Sequence, residues 1–147
     1  MRILSEFTNI EFEQLSALDK KCIGAEGWSA NSFREQAEAP GGIVLAAYCG
    51  EKLAGLIAGF TASDTGEILT VSVSPEYRRQ GIARQLITAF LEQVPEGTEN
   101  IALEVRRSNA AAIGLYKSFG FEDAGVRKRF YTDPEEDAIV MVKTIHN

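Results

Sequence analysis

Fourteen residues in the middle of the chain, Val71-Ser72-Val73-Ser74-Pro75-Glu76-Tyr77-Arg78-Arg79-Gln80-Gly81-Ile82-Ala83-Arg84, run from an apolar strand through an arginine-flanked turn into a helix that opens on glycine. Backbone N–H groups at a helix start have no intrahelical partner and carry the positive end of the macrodipole, so a turn with little side-chain bulk wraps them round a pyrophosphate. Gly81 and Ala83 supply the small side chains; Arg78, Arg79 and Arg84 supply charge. A plain turn into a helix with solvated arginines fits the same residues. A dinucleotide fold would want more glycines and an acidic residue about twenty positions on, and a phosphate-binding lysine loop would want Gly-Lys-Ser/Thr; neither pattern is present.

The segments on either side predict a mixed architecture. Arg2 to Phe7 reads as a short strand, and Asn9 as the cap of a helix with Phe12, Leu15 and Leu18 on one stripe. A second helix runs from Ser29, behind Trp28, to about Ala37 and is broken by Pro40-Gly41-Gly42. Ile43 to Tyr48 and Leu53 to Thr61 form a hairpin through Gly50-Glu51-Lys52, and Ser63-Asp64-Thr65-Gly66 turns into the strand Glu67 to Val73. After the cradle, Gly81 to Val94 is an amphipathic helix with Ile82, Leu86, Phe90 and Val94 on one face, stopped by Pro95-Glu96-Gly97. Ile101 to Val105 is a strand, Asn109 to Phe119 a helix, and Phe121 to Tyr131 with Asp137 to Lys143 a closing hairpin. The order β-α-α-β-β-β-α-β-α-β-β is α+β, with a mixed, mostly antiparallel central sheet flanked by helices.

Length and composition bound the rest. The 147 residues suit one domain, 1–147, able to bury a core without disulfide or metal staples, and 45% hydrophobic with 24% charged residues is globular. A formal charge of −6 argues against a surface that binds nucleic acid and favours a cationic substrate. Cys22 and Cys49 are too few for a disulfide framework or metal knuckle, and the one histidine, His146, is next to last; a cytoplasmic setting without a metal follows. Met1 to Ile10 does not read as a signal peptide, and the longest apolar stretch, Gly41 to Gly50, is about half a membrane span.

Two further constellations bear on chemistry. In Leu103-Glu104-Val105-Arg106-Arg107-Ser108-Asn109, strand alternation puts Leu103 and Val105 on one face and Glu104 with Ala102 and Arg106 on the other. A carboxylate in a half-buried strand is either a site residue or one end of an ion pair with a neighbouring arginine. Asn109 stands where a helix cap belongs, and Tyr116 shares a helical stripe with Ala112, Leu115 and Phe119. It is core by position, yet its hydroxyl needs a partner when buried. In the run Val126 to Met141, Arg127-Lys128-Arg129-Phe130-Tyr131 precede the acids Asp133, Glu135, Glu136 and Asp137, which by itself reads as an exposed hairpin with cross-strand charge pairs.

Together these segments resemble the GNAT superfamily of acetyl-coenzyme A dependent N-acetyltransferases, and within it the bacterial ribosomal-protein alanine N-acetyltransferases. The resemblance lies in Tyr77-Arg78-Arg79-Gln80-Gly81-Ile82-Ala83-Arg84, Leu103-Glu104-Val105-Arg106, Ser108-Asn109, Ala112-Ile113, Leu115-Tyr116, Gly120-Phe121 and Glu136-Asp137-Ala138-Ile139-Val140-Met141, and covers about residues 28 to 143. It implies acetyl-coenzyme A as cosubstrate and no metal. The pantetheine arm would be held by Val71, Ser72 and Val73, and the pyrophosphate by Arg79, Gln80, Gly81, Ile82, Ala83 and Arg84, with Asn109 also on the cofactor. The general base falls on Glu104 and the general acid on Tyr116, with Glu67 as a competing base or shaper of the acceptor site. Trp28, Arg127 and Tyr131 belong to the regions that shape the acceptor groove.

Three departures are visible. Ala83 replaces a commoner glycine, Phe130-Tyr131 stands where many relatives carry two tyrosines, and Thr132 to Glu136 is short and lacks a Gly-Arg pair. The last two fall in the acceptor region. The acceptor implied is a protein N-terminus, that of a small-subunit ribosomal protein; a lysine side chain, a small amine, or a coenzyme A binding module without turnover are the alternatives. Neither nucleic acid nor a membrane is a partner on this reading.

Overall fold

A parallel pair inside an otherwise antiparallel sheet fixes the architecture. The computed structural model describes residues 1–145, so His146 lies outside the described residues. The elements run β1 (Arg2–Leu4), α1 (Asn9–Ile23), α2 (Ala30–Glu38), β2 (Gly42–Cys49), β3 (Lys52–Ala62), β4 (Thr65–Val73), a 3-10 turn (Pro75–Tyr77), α3 (Ile82–Gln93), β5 (Asn100–Arg106), α4 (Ala110–Ser118), β6 (Glu122–Tyr131) and β7 (Glu136–Thr144). The seven strands lie in the order β1-β2-β3-β4-β5-β7-β6. β4 and β5 are parallel, with Thr65 to Ile68 opposite Asn100 to Leu103. The expected order and fold class hold. Among the described residues no helix is long and apolar enough to cross a membrane.

Four local expectations are corrected. The first strand ends at Leu4 rather than Phe7, and Phe7 packs its ring at a tilt against Phe12, 5.4 Å between centres. Thr8, not Asn9, caps α1: its hydroxyl accepts the Glu11 N–H and the Glu11 carboxylate accepts the Thr8 N–H, a reciprocal box that a Thr-x-x-Glu spacing permits. Gly81 is the N-cap of α3 rather than its first residue, since its φ of 79° lies in the left-handed region. Val94 leaves the helix as its C-cap, and Ile87, fully buried, joins Ile82, Leu86 and Phe90 on the core face.

The chain divides into two compact units, Met1–Thr61 with Leu69–Val94, and Ala62–Ile68 with the chain from Pro95 onward. In the first, β2 and β3 present Val44, Ala46, Leu56 and Ala58 to Phe12, Leu15 and Leu18 of α1 and Phe33 of α2. α3 approaches β3 at Gly55, where a Cβ would lie 2.9 Å from Ile82 Cγ2 and 3.0 Å from the Ser72 carbonyl oxygen. In the second unit Ile101, Leu103 and Val105 form the buried face of β5, with Met141 of β7 opposite Leu103. Phe121 packs edge-on against Tyr116 of α4 at 5.8 Å, and Lys143 Nζ donates to the Phe119 carbonyl at 2.6 Å. β6 closes the sheet as an exposed edge.

Candidate active site

Alternation along β4 separates its tasks. Gly66, Ile68, Thr70 and Ser72 are buried on one face, and Glu67, Leu69, Val71 and Val73 occupy the other. The β4–β5 register runs only through Ile68 and Leu103, so β4 continues five residues beyond the last pair. The main chain then passes through the 3-10 turn into two left-handed residues, Arg79 (φ 65°) and Gly81 (φ 79°). For arginine this conformation costs roughly 1–2 kcal/mol, and such strain gathers where backbone groups must be aimed. The first helical bond of α3 runs from the Gln85 N–H to the Gly81 carbonyl, which places the Ile82 and Ala83 N–H groups ahead of the ladder. Arg78 braces the turn through Nε on the Val73 carbonyl at 3.2 Å, and Gln80 does so through Nε2 on the Glu76 carbonyl at 3.3 Å. No Cβ at Gly81 would meet an atom within 4 Å, so the mouth of this turn is open.

In β5, Glu104 lies on the face shared with Ala102 and Arg106, as alternation requires. Its side chain is 16% exposed; Oε1 is 3.7 Å from Arg127 Nε, and Oε2 is buried with no hydrogen-bond partner. The ion pair weighed for this carboxylate therefore exists, but with Arg127 of β6 rather than with the adjacent Arg106 or Arg107. Glu67 faces Ala102 in the register, making it a diagonal neighbour of Glu104. Its carboxyl is raised above the ordinary range by partial burial first and by the Glu104 charge second, while Arg127 pulls it back.

Tyr116 is 9% exposed on α4, and its phenol is pushed up to about 12 by burial, with Tyr131 adding a smaller push. It therefore keeps its proton well above neutral pH. Asn109 caps α4, its side-chain oxygen accepting the Ala112 N–H at 3.1 Å, so its expected structural role is filled.

The β6–β7 turn is organised by a residue the sequence reading did not single out. Arg106 donates from Nη1 to the Pro134 carbonyl (3.0 Å) and the Glu136 carboxylate (3.3 Å), and from Nη2 to the Thr132 carbonyl (3.3 Å). Its guanidinium also lies 4.4 Å from the centre of the Tyr131 ring. Glu136 accepts the Ser108 N–H at 2.6 Å just before α4, so one carboxylate joins the turn to the helix that carries Tyr116. The charge pairs expected across this hairpin are placed otherwise: Arg129 of β6 meets Glu135 in the turn at 3.1 Å, and Asp137 of β7 meets Arg107, just past the end of β5, at 3.5 Å.

Trp28 is half-buried, its ring tilted against that of Phe33 at 5.0 Å between centres. Its peptide N–H donates to Asp19 Oδ2 at 2.8 Å and its carbonyl accepts the Ser16 hydroxyl at 2.7 Å. Asp19 also escaped the sequence reading. The signal was present, since a carboxylate one residue after Leu18 and four after Leu15 falls on the buried stripe of α1. Among the described residues no group of three or more His, Cys, Asp or Glu side chains is placed to hold a metal ion.

Residues 5–121 match the acetyltransferase (GNAT) family. A putative ribosomal protein bS18-alanine N-acetyltransferase of Bacillus subtilis is 37% identical over 121 residues, which cover 81% of this chain and 80% of the relative. The Escherichia coli ribosomal protein bS18-alanine N-acetyltransferase is 42% identical over 85 residues, 56% of this chain and 57% of that one. The crystal structure of the ribosomal-protein-S18-alanine N-acetyltransferase from Escherichia coli superimposes with a TM-score of 0.87 at 30% identity, covering 99% of this chain and 94% of that one. A mixed sheet with a short parallel β4–β5 ladder and a glycine-capped helix after β4 thus defines a GNAT acetyltransferase, and the chain belongs to that family. It is an acetyl-coenzyme A dependent N-acetyltransferase.

Proposed function

We propose that this chain, working as one domain over residues 1–147 in the cytoplasm, acetylates the α-amino group at the N-terminus of a protein. The acceptor is an N-terminal alanine of ribosomal-protein bS18 type, as the names of its relatives indicate. The observation that carries this reading is Glu104 Oε2, a buried carboxylate oxygen without a hydrogen-bond partner on a sheet face that also bears Glu67, its diagonal neighbour on β4. Such an oxygen is costly to leave unpaired and is suited to receive a proton from an amine.

Acetyl-coenzyme A supplies an acetyl group activated as a thioester. The open turn at Gly81, with the Ile82 and Ala83 amides ahead of the helix ladder, suits its pyrophosphate, and residues Arg79 to Arg84 would hold it there. Val71, Ser72 and Val73 would bind the pantetheine arm through main-chain groups, the Ser72 side chain being engaged elsewhere. Asn109 would add its amide. Glu104 removes the proton from the incoming amine, Glu67 flanks it, and the protonated Tyr116 hydroxyl is the proton source for the departing thiolate. Trp28, Arg127 and Tyr131 shape the acceptor side.

An amine attacks only when neutral. At pH 7 roughly a tenth of a protein α-amino group is neutral, against well under a thousandth of a lysine side chain. A single carboxylate base without a metal therefore meets a far easier task at an N-terminus.

The test is transfer from labelled acetyl-coenzyme A to an alanine-initiated peptide containing internal lysine, and to the same peptide with its α-amino group blocked. Label on the α-nitrogen of the first and none on the second is expected. Label on lysine alone, or on neither while free amines are acetylated, overturns the N-terminal assignment.

A further inference from the structure

Asp19 is fully buried on α1, and every donor it holds comes from another element. Oδ1 accepts the hydroxyls of Thr70 at 2.8 Å and Ser72 at 2.9 Å, both from the buried face of β4. Oδ2 accepts the Trp28 peptide N–H at 2.8 Å. Ser16, about one helical turn toward the N-terminus on the same face, donates to the Trp28 carbonyl at 2.7 Å, so both polar groups of residue 28 are tied to α1. The segment is drawn in closely: a Cβ at Gly27 would lie 2.6 Å from the Lys20 backbone.

A buried carboxylate is a poor device for stability alone, because an apolar residue of similar size usually serves as well or better once desolvation is counted. What it offers instead is geometry, since charge-assisted bonds are short and directional and lock the groups that make them. The two segments locked here are the strand assigned above to the pantetheine arm and the tryptophan assigned above to the acceptor side.

We infer that Asp19 is a positioning residue that sets the Thr70–Ser72 stretch of β4 and the Trp28 peptide from a single side chain. The inference uses the proposed function only for what those segments bind; the clamp itself stands on the hydrogen bonds. Because Trp28 is the only tryptophan in the chain, its emission reports on one end of the clamp without reference to activity.

Asp19→Asn tests it selectively. The asparagine oxygen keeps the two hydroxyls, but its NH₂ group then faces the Trp28 N–H, donor against donor. The expected result is a red shift of Trp28 emission with greater quenching by acrylamide. The peptide acceptor KM should rise about tenfold, the size of one charge-assisted hydrogen bond, with coenzyme A affinity by calorimetry changing much less. Ser16→Ala, which removes only the second tie to Trp28, is expected to move emission and quenching in the same direction and serves if the Asp19 variant does not fold.

A folded Asp19→Asn or Ser16→Ala protein with wild-type emission, quenching and acceptor KM overturns the inference. Should the wild-type protein acetylate no peptide at all, the acceptor reading fails, and the emission and quenching of the variants still decide whether Asp19 positions Trp28.

Discussion

Arg127 reaches over β7 to bring its Nε within 3.7 Å of Glu104 Oε1, and the other oxygen of that carboxylate is left buried without a partner. The pair divides one carboxylate into a half that is electrostatically tethered and a half that is buried without a hydrogen bond. Glu67, diagonal to Glu104 on the neighbouring strand, feels both charges with opposite signs.

The first prediction concerns that coupling. Removing the Glu104 charge in Glu104→Gln should lower the pH at which Glu67 titrates, and removing the cation in Arg127→Met should raise it. Carboxyl ¹³C resonances followed through acid pH read both shifts. Shifts of the same sign in the two variants would show that the three groups do not share a field.

Tyr116→Phe tests the proposed role of Tyr116 as the acid. The ring contact with Phe121 survives the change, so thermal stability should hold while kcat falls by about a hundredfold or more. With the phenol pushed up to about 12, Tyr116 is still protonated two units below that value. Wild-type and variant activity profiles should therefore run parallel up to about pH 10. A falling alkaline limb below pH 10 that vanishes in the variant would contradict the assignment.

Much of this architecture can be read from local chemistry. The hairpin turns, the alternation of β5 and the Asn109 cap each rest on residues within a few positions of one another, and each lies where spacing puts it. What spacing does not carry is the partner of a buried charge. Asp19 finds Thr70 and Ser72 some fifty positions away. Glu104 passes over its sequence neighbours, since Arg106 is engaged by the turn at Thr132 to Glu136 and Arg107 by Asp137. The Thr8 cap was legible as Thr-x-x-Glu, and Asn9 competed only because it is an equally good capping type.

Gly55→Ala tests how α3 is seated. The added Cβ would stand 2.9 Å from Ile82 Cγ2 and 3.1 Å from Leu86 Cδ1, forcing the first turn of α3 away from β3. Overpacking of this kind costs about 1–3 kcal/mol, to be read by denaturant unfolding. Coenzyme A binding by calorimetry should weaken as the Ile82 and Ala83 amides shift. Lost stability with unchanged coenzyme A affinity would count against that turn as the pyrophosphate grip.

Glu136 gives a pH dependence with a definite sign. Hydrogen bonds from Ser108, and then Arg106, hold its carboxyl below the ordinary value of 4.5, so the folded state favours the ionised form. A depressed acid contributes stability above its unfolded pKa and loses it as pH falls through the folded one. Glu136→Gln should therefore unfold at a lower temperature than wild type at pH 7, and the gap should close as the pH drops well below 4.5. Because the same carboxylate joins the β6–β7 turn to the residue before α4, the variant should also raise the acceptor KM at pH 7. A temperature gap that stays constant from pH 7 into strong acid would mean that Glu136 acts through packing rather than through its charge.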